Sequence, residues 1–448
     1  HRTSIMSLPS FGTPTPKLLL TSVYPVDLSN KEFDGSKKID LRIQDGVIVE
    51  IGQGLTPKKG EKVIEGSKSH KTYVSPGWMD MHVHLREPGF EHKETIATGT
   101  RSAAFGGFTA VACMPNTRPT LHTQDVVETV VHRASHLPVE VHPIGAVTVD
   151  RKGEAIAEMA AMVEGGAVAF SDDGDPVYNA EIMRIALTYS AMLGVPIINH
   201  EEDLALSKPG HMHEGVVSTR LGLEGSPAIA EEVMIARDIM LAELTGGHVH
   251  VAHISTKDGV ELVRQGKKKG IRVTTEVCPH HFDLTDEEIE RRRFDTHVKM
   301  HPPLRSQEDV DAMIEGLKDG TIDAICTDHA PHAPEEKDVE FIDAPNGIIG
   351  LDTAWSVAVS RLLKPGHLSL TDLVEKLAVA PRQILSLDIP KVDVDQPANL
   401  TVFNTEEEWE YTPQRIHSKS KNSPYVGETF QGRAEAIYHR GQWVDNEL

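Results

Sequence analysis

Asp80-Met-His82-Val-His84-Leu-Arg86-Glu-Pro-Gly89 sets two imidazoles two residues apart at the end of an apolar run, with an arginine two positions further on. Residues i and i+2 of a strand share a face. His82 and His84 can therefore reach one cation together, and Arg86, on the same parity, points toward the same space. A metal beside a carboxylate-binding guanidinium suits hydrolysis of an acidic substrate. The spacing alone is common in a chain with 24 histidines, and it recurs at His211/His213 and His248/His250. Its setting is what carries weight. Val74, Trp78 and Met79 read as a buried strand entering from Pro76-Gly77, and Pro88-Gly89 ends it abruptly. Ligands at the carboxyl end of a barrel strand are where such folds keep their chemistry.

Downstream, strand and helix patterns alternate. Candidate strands end near His84, Met114, Gly145, Phe170, His200, His253, Val277 and Thr327. Helical spacing follows at residues 154–164, 182–193 and 228–244, each stopped by glycine, and Ser306-Gln-Glu-Asp309 has the form of a capping box. Eight such units over about 250 residues describe a (β/α)8 TIM-like barrel of the α/β class.

The ends of the chain read differently. Residues 18–74 give short alternating segments, among them Ile39-Asp-Leu-Arg-Ile43 and Val47-Ile-Val-Glu-Ile51 joined by Asp45-Gly46, a hairpin pattern. Asn399-Leu-Thr-Val-Phe403 and Ala436-Ile-Tyr438 resume the style. The expected organisation is a small β-sandwich built from both termini, residues 17–74 and 391–448, with the barrel at 75–390 inserted between them.

At the strand ends the polar residues agree in chemical type. Strand one supplies His82 and His84, strand four Ser-Asp172-Asp173-Gly, strand five His200, strand six His253 and strand eight Asp328-His329-Ala-Pro-His332. In strand six, Val249, Val251 and His253 share one parity and His248 and His250 the other. The last residue lies nearest the barrel mouth, so His253 is the candidate ligand and His248 and His250 are structural. Four imidazoles with Asp173 and Asp328 form a donor set for two divalent cations, and an imidazole-rich set favours zinc.

Composition bounds the alternatives. The net charge of −22, from 45 basic and 67 acidic residues, disfavours nucleic acid and anionic membrane as partners. No apolar run approaches the roughly 20 residues of a transmembrane helix. The three cysteines, Cys113, Cys278 and Cys326, are too few for a disulfide framework and suit a reducing cytoplasm. The start, His1-Arg-Thr-Ser-Ile-Met6, reads as a remnant apart from the fold.

The motifs His82-Val-His84-Leu-Arg86-Glu-Pro-Gly89, Met114-Pro-Asn116-Thr117, Pro302-Pro-Leu-Arg305 and Thr327-Asp328-His329-Ala-Pro-His332, taken as a set, resemble the dihydroorotases of the amidohydrolase superfamily, in the bacterial branch of Aquifex and Bacillus type. The resemblance runs from about Lys17 to Val444. It implies zinc-dependent, reversible hydrolysis of L-dihydroorotate to N-carbamoyl-L-aspartate, a step of pyrimidine synthesis, with two zinc ions per chain. It assigns His82, His84 and Asp328 to the more buried zinc and His200 and His253 to the second. Asp173 takes the bridging place that a carbamylated lysine fills in many relatives, with Asp172 as the near rival. Asp328 becomes the catalytic base and acid. Arg86 and Asn116 grip the substrate carboxylate, while His332, Asn346 and Gly347 contact the rest of the ring. His301 departs from the family, which has asparagine there, and an imidazole replaces only one of the two hydrogen bonds of an amide. A homodimer and a complex with aspartate transcarbamoylase both stay open. The competing readings are a hydantoinase or allantoinase, which Arg86 opposes because a neutral ring offers it no carboxylate, and a non-catalytic scaffold of the transcarbamoylase.

Overall fold

The structure, a computed structural model, describes residues 11–446; the His1–Met6 start lies outside the described residues. Eight parallel positions close into a barrel. Trp78–Val83, Phe108–Cys113 and Glu140–Pro143 form one run of parallel strands. The fourth position narrows to Phe170, which bridges Gly145 on one side and Ile197 on the other. Ile197–Asn199, Val249–Val251, Val273–Val277 and Ala324–Ile325 continue the parallel order. A parallel bridge from Val83 to His329 closes the ring.

Strands covered on both faces are largely apolar, and the two faces differ in size. Small and flexible residues fill the interior: Met79, Met81, Ala110, Ala112, Ala169, Ala252 and Ala324 share one buried cluster. Bulkier residues such as Trp78, Phe108, Val249 and Val251 pack outward against the helices. In the first strand this alternation breaks before the site. Asp80 accepts the His82 N–H at 3.0 Å and also the Thr327 hydroxyl at 2.6 Å, and the register shifts between Asp80 and Val83. The bulge transfers the inward face from Met79 and Met81 to His82 and His84, which is how such an irregularity re-aims side chains beside a site.

The expected helices at 182–193 and 228–244 occur as Ala180–Leu193 and Ile229–Thr245, each ended by a left-handed glycine, Gly194 and Gly246. Ser306 and Asp309 form the expected capping box of Gln307–Lys318. The helix expected over 154–164 is confined to Met159–Glu164. Ahead of it, the Val149 and Ala157 N–H groups donate to Ala155 and Val147, so that stretch pairs with the preceding loop instead of coiling. No helix among the described residues is long and apolar enough to cross a membrane.

The two termini pair into one sheet domain. Its joint is Tyr73–Pro76 antiparallel to Leu400–Phe403. Eight of its nine strands follow a continuous path, and Lys62–Glu65 branches off it, parallel to Lys17–Pro25. The path curls on itself, so Leu41 and Ile43 near one end share an apolar cluster with Tyr438 and Trp443 near the other. Asp45 and Gly46 both take positive φ, 50° and 80°, as the hairpin between Ile39–Gln44 and Val47–Gly52 requires. The segment read as one buried strand through Val74 and Trp78 divides at Gly77: Tyr73–Pro76 belongs to the terminal sheet and Trp78–Val83 to the barrel. A Cβ at Gly77 would stand 2.0 Å from Asn399 Oδ1, so only glycine fits the crossing. Beside it Trp78, Trp355 and Phe403 pack with ring centroids 4.7–5.1 Å apart and fasten the barrel to the sheet.

Candidate metal centre and substrate cavity

The structure brings His82, His84, Asp173, His200, His253 and Asp328 into one cluster, in which all but the half-buried Asp328 are buried. Asp173 stands at its centre. Its Oδ2 lies 3.5 Å from His82 Nε2 and 3.4 Å from His84 Nε2, and its Oδ1 lies 3.5 Å from both His200 Nδ1 and His253 Nε2. Asp328 Oδ1 joins the first pair, at 3.4 Å from His82 Nε2 and 2.9 Å from His84 Nε2. Donor atoms bonded at 2.0–2.1 Å to a tetrahedral zinc stand roughly 3.3 Å apart, so both pairs already have the spacing of a ligand shell. His82 Nε2 and Asp173 Oδ1 are buried without any hydrogen-bond partner. Orphaned acceptors are costly unless something fills the place between them, and divalent metal fits these donors.

Asp172 has a different task. It accepts the Val147 and Thr148 N–H groups at 2.9 and 3.0 Å and the Thr148 hydroxyl at 2.5 Å, and so pins the preceding loop. His248 and His250 bond Thr274, and His250 also faces Glu276 at 3.2 Å. The parity of strand six sends Val249 and Val251 toward the helices. His253 turns inward because the strand stops at Val251 and His253 itself takes φ 31°.

Three partners orient the cluster, and one of them, Asn116, was a sequence candidate. Glu276 Oε1 receives His82 Nδ1 at 2.5 Å, Asn116 Oδ1 receives His84 Nδ1 at 2.9 Å, and Glu202 Oε2 lies 3.1 Å from His200 Nε2. Each leaves the opposite ring nitrogen directed at the cluster, as outer partners of ligating histidines do. Glu276 and Glu202 were missed. Glu276 had a visible signal, the one charged residue in the strand Val273–Val277.

The electrostatics favour positive charge here. Burial works against the charged form of His82, but Glu276, Asp173 and Asp328 outweigh it and hold its pKa well above the ordinary value. Burial likewise works against ionised Asp173, yet His82, with His200 and His253 beside it, holds it well below. A cation is the group this field awaits.

Above the cluster lies a cavity of about 260 Å³ lined by Arg86, Asn116, His301, His332, Asn346 and Gly347 among others, so every candidate substrate residue converges on it. Burial pushes the Arg86 guanidinium down to about 10, and its Nε–H donates only to Pro331 O, at 3.1 Å. His301 stacks on His200, with ring centroids 4.8 Å apart, and its Nε2 lies 2.7 Å from Glu202. Burial first, and repulsion from Arg86 second, lower His332 to about 2, so it is a neutral ring donating Nε2–H to Asn346 O at 2.8 Å. Asn422, from the C-terminal part of the chain and unforeseen in the sequence, ties this wall together. Its Oδ1 accepts the His332 N–H at 3.1 Å, and its Nδ2 donates to Ala330 O at 2.9 Å and Gly347 O at 3.1 Å.

The family described as Dihydro-orotase-like matches residues 72–259. The chain is 49% identical over 407 residues to the dihydroorotase of Citrifermentans bemidjiense, covering 91% of this chain and 95% of that one. It is 47% identical over 421 residues to the dihydroorotase of Ruminiclostridium cellulolyticum, covering 94% and 96%. Among solved structures it resembles an L-hydantoinase from Arthrobacter aurescens, with a TM-score of 0.84, 24% identity and 96% of both chains covered. A dihydropyrimidinase from Brevibacillus agri gives a TM-score of 0.82 at 21% identity, again over 96% of both chains. At these identities the structural matches speak for the fold alone.

Proposed function

The chain belongs to the dihydroorotase family of cyclic amidohydrolases, and on that premise we propose that its histidine–aspartate cluster holds two zinc ions serving the reversible hydrolysis of L-dihydroorotate to N-carbamoyl-L-aspartate. The observation that carries the metal assignment is Asp173, which presents one oxygen to His82 and His84 and the other to His200 and His253. Asp328 completes the first set. In this reading residues 75–390 carry the chemistry, and 17–74 with 391–448 form the supporting sheet domain.

Bound zinc supplies an acidified water, its pKa lowered from 15.7 toward ~7, and a polarised carbonyl. The chain's own groups do the rest. Arg86 and the Asn116 amide nitrogen offer donors to the substrate carboxylate, Asn116 Oδ1 being occupied by His84. Burial disfavours ionised Asp328, but His82 and His84 outweigh it and keep it a carboxylate. It accepts a proton from the attacking water and delivers it to the ring nitrogen as the C–N bond breaks, acting as base and then acid. The water's second proton is lost as the new carboxyl group ionises. Arg86, a buried guanidinium with no carboxylate partner among the described residues, favours an anionic ring over a neutral hydantoin.

The zinc-loaded protein is expected to turn over L-dihydroorotate well and hydantoin poorly, and to hold close to two zinc ions by elemental analysis. His200→Ala should lower the content toward one. A fully active protein with one zinc, or a preference for hydantoin, would sink the reading. A second expectation concerns the wall of the cavity. Asn422→Ala removes three hydrogen bonds that hold His332 and Gly347 in place, each worth about 0.5–1.5 kcal/mol. It should raise KM for dihydroorotate several-fold with zinc content unchanged. An unchanged KM would show that the wall holds its shape without Asn422.

A further inference from the structure

A second cavity, of about 450 Å³, adjoins the first and shares Arg86 and Asn116 with it. In a chain of net charge −22, its wall is cationic. Arg86, Lys93, Arg118 and Arg151 line it against one carboxylate, Asp150. Lys93 is engaged by Glu336 at 2.8 Å and Arg151 by Asp175 at 2.5 Å. Arg86 and Arg118 have no ion-pair partner among the described residues.

Arg118 is held in a built position. Its N–H donates to Pro88 O at 2.9 Å, which joins its loop to the one carrying Arg86. Gly89, at φ 104°, packs so closely that a Cβ there would stand 2.3 Å from Arg118 O. The Arg118 guanidinium lies 6.0 Å from the Phe90 ring centroid and the Lys93 ammonium 5.7 Å from it, so one aromatic ring carries both cations at the cavity wall.

We propose that this second cavity is an anion-docking antechamber in which Arg118 holds one carboxylate of a dicarboxylate ligand while Arg86 attracts the other. This rests on the assigned reaction, whose two small molecules differ in the relevant respect. L-Dihydroorotate carries one carboxylate, and N-carbamoyl-L-aspartate carries two. Two unpaired guanidinium groups on one cavity therefore favour the open-chain dianion over the ring. Arg118 is a specificity residue for that ligand and takes no part in bond making.

The test compares Arg118→Gln and the charge-retaining Arg118→Lys with the zinc-loaded wild type. Because the reaction equilibrium fixes the ratio of kcat/KM in the two directions, the readout is binding. Arg118→Gln is expected to weaken product inhibition by N-carbamoyl-L-aspartate about five- to ten-fold, the range of a partly exposed charge-assisted contact. KM for L-dihydroorotate should stay within about two-fold, Arg118→Lys should retain most of the inhibition, and the salt dependence of the inhibition constant should flatten in Arg118→Gln. Direct titration with N-carbamoyl-L-aspartate should show the same loss. Unchanged affinity for the dianion, or equal loss for both ligands, would overturn the antechamber. A wild type that binds the dianion but never turns over dihydroorotate would overturn the assigned reaction instead.

Discussion

Asp173→Ala is expected to lower dihydroorotate turnover by more than about 100-fold and to strip zinc from the protein. Loss of an outer partner of a metal ligand already costs ~10–100-fold in affinity or activity, and Asp173 faces both pairs of imidazoles directly. Without it the cluster keeps one carboxylate, Asp328, and the two pairs of imidazoles lose the carboxylate that stands between them. Added bicarbonate should not restore activity, because the Ser171–Gly174 loop holds no lysine to carbamylate. The neighbouring Asp172→Ala should do something else. It leaves two buried N–H groups and a hydroxyl around Thr148 without their acceptor, a loss of about 1–3 kcal/mol per group. Its signature is a lower Tm with zinc largely retained. Elemental analysis and thermal melts on the two variants separate the roles, and the opposite ranking would move the bridging place to Asp172.

Arg86→Met should produce the second largest loss, through substrate binding with the metal untouched. Removing one side of a charge-assisted bidentate pair costs about 2–5 kcal/mol, roughly 30- to several-thousand-fold in kcat/KM. Zinc content should hold, since the guanidinium is not a ligand. Weak turnover of neutral cyclic amides should fall far less. Stability is expected to hold or rise. A base whose pKa burial depresses to about 10 carries its charge at neutral pH at a cost to the folded state, and methionine removes that cost while filling similar space. Equal losses on charged and neutral substrates would show that Arg86 supports the cavity instead of reading the carboxylate.

Much of the barrel was legible because its physics is local. A strand buried on both faces has to be an apolar run, and a polar group at its carboxyl end has to stand at the mouth. That logic brought out His82, His84, His200, His253 and Asp328 from sequence. Features set by tertiary contacts were harder to read. The bulge that turns His82 inward depends on Asp80 meeting Thr327 from the last strand, a partner 247 positions away. His253 was chosen for its place at the strand end; strand parity alone would have turned it outward, and its positive φ is what turns it in. Residues 154–158 have helical spacing, but the loop they pair with decides their conformation. Glu202 follows a ligand candidate by two positions and gave no pattern of its own, and Asn422 lies in a stretch without periodicity whose role exists only once the chain has returned to the barrel.

That return has a consequence for how the protein is made. Trp78 N–H donates to Thr401 Oγ1 across 323 positions, beside the pairing of Tyr73–Pro76 with Leu400–Phe403. At ~5–20 residues per second of synthesis, the first barrel strand leaves the ribosome roughly 15–60 s before the strand that covers its neighbour. Through that interval the nascent chain carries an open strand edge and an uncovered apolar face containing Leu18, Leu20 and Val74, a surface that invites mispairing. Asn422 emerges later still, so the substrate wall closes after every candidate metal ligand has been translated. A polypeptide released before Asn422 has the imidazoles of the cluster without the side chain that ties His332 to Gly347.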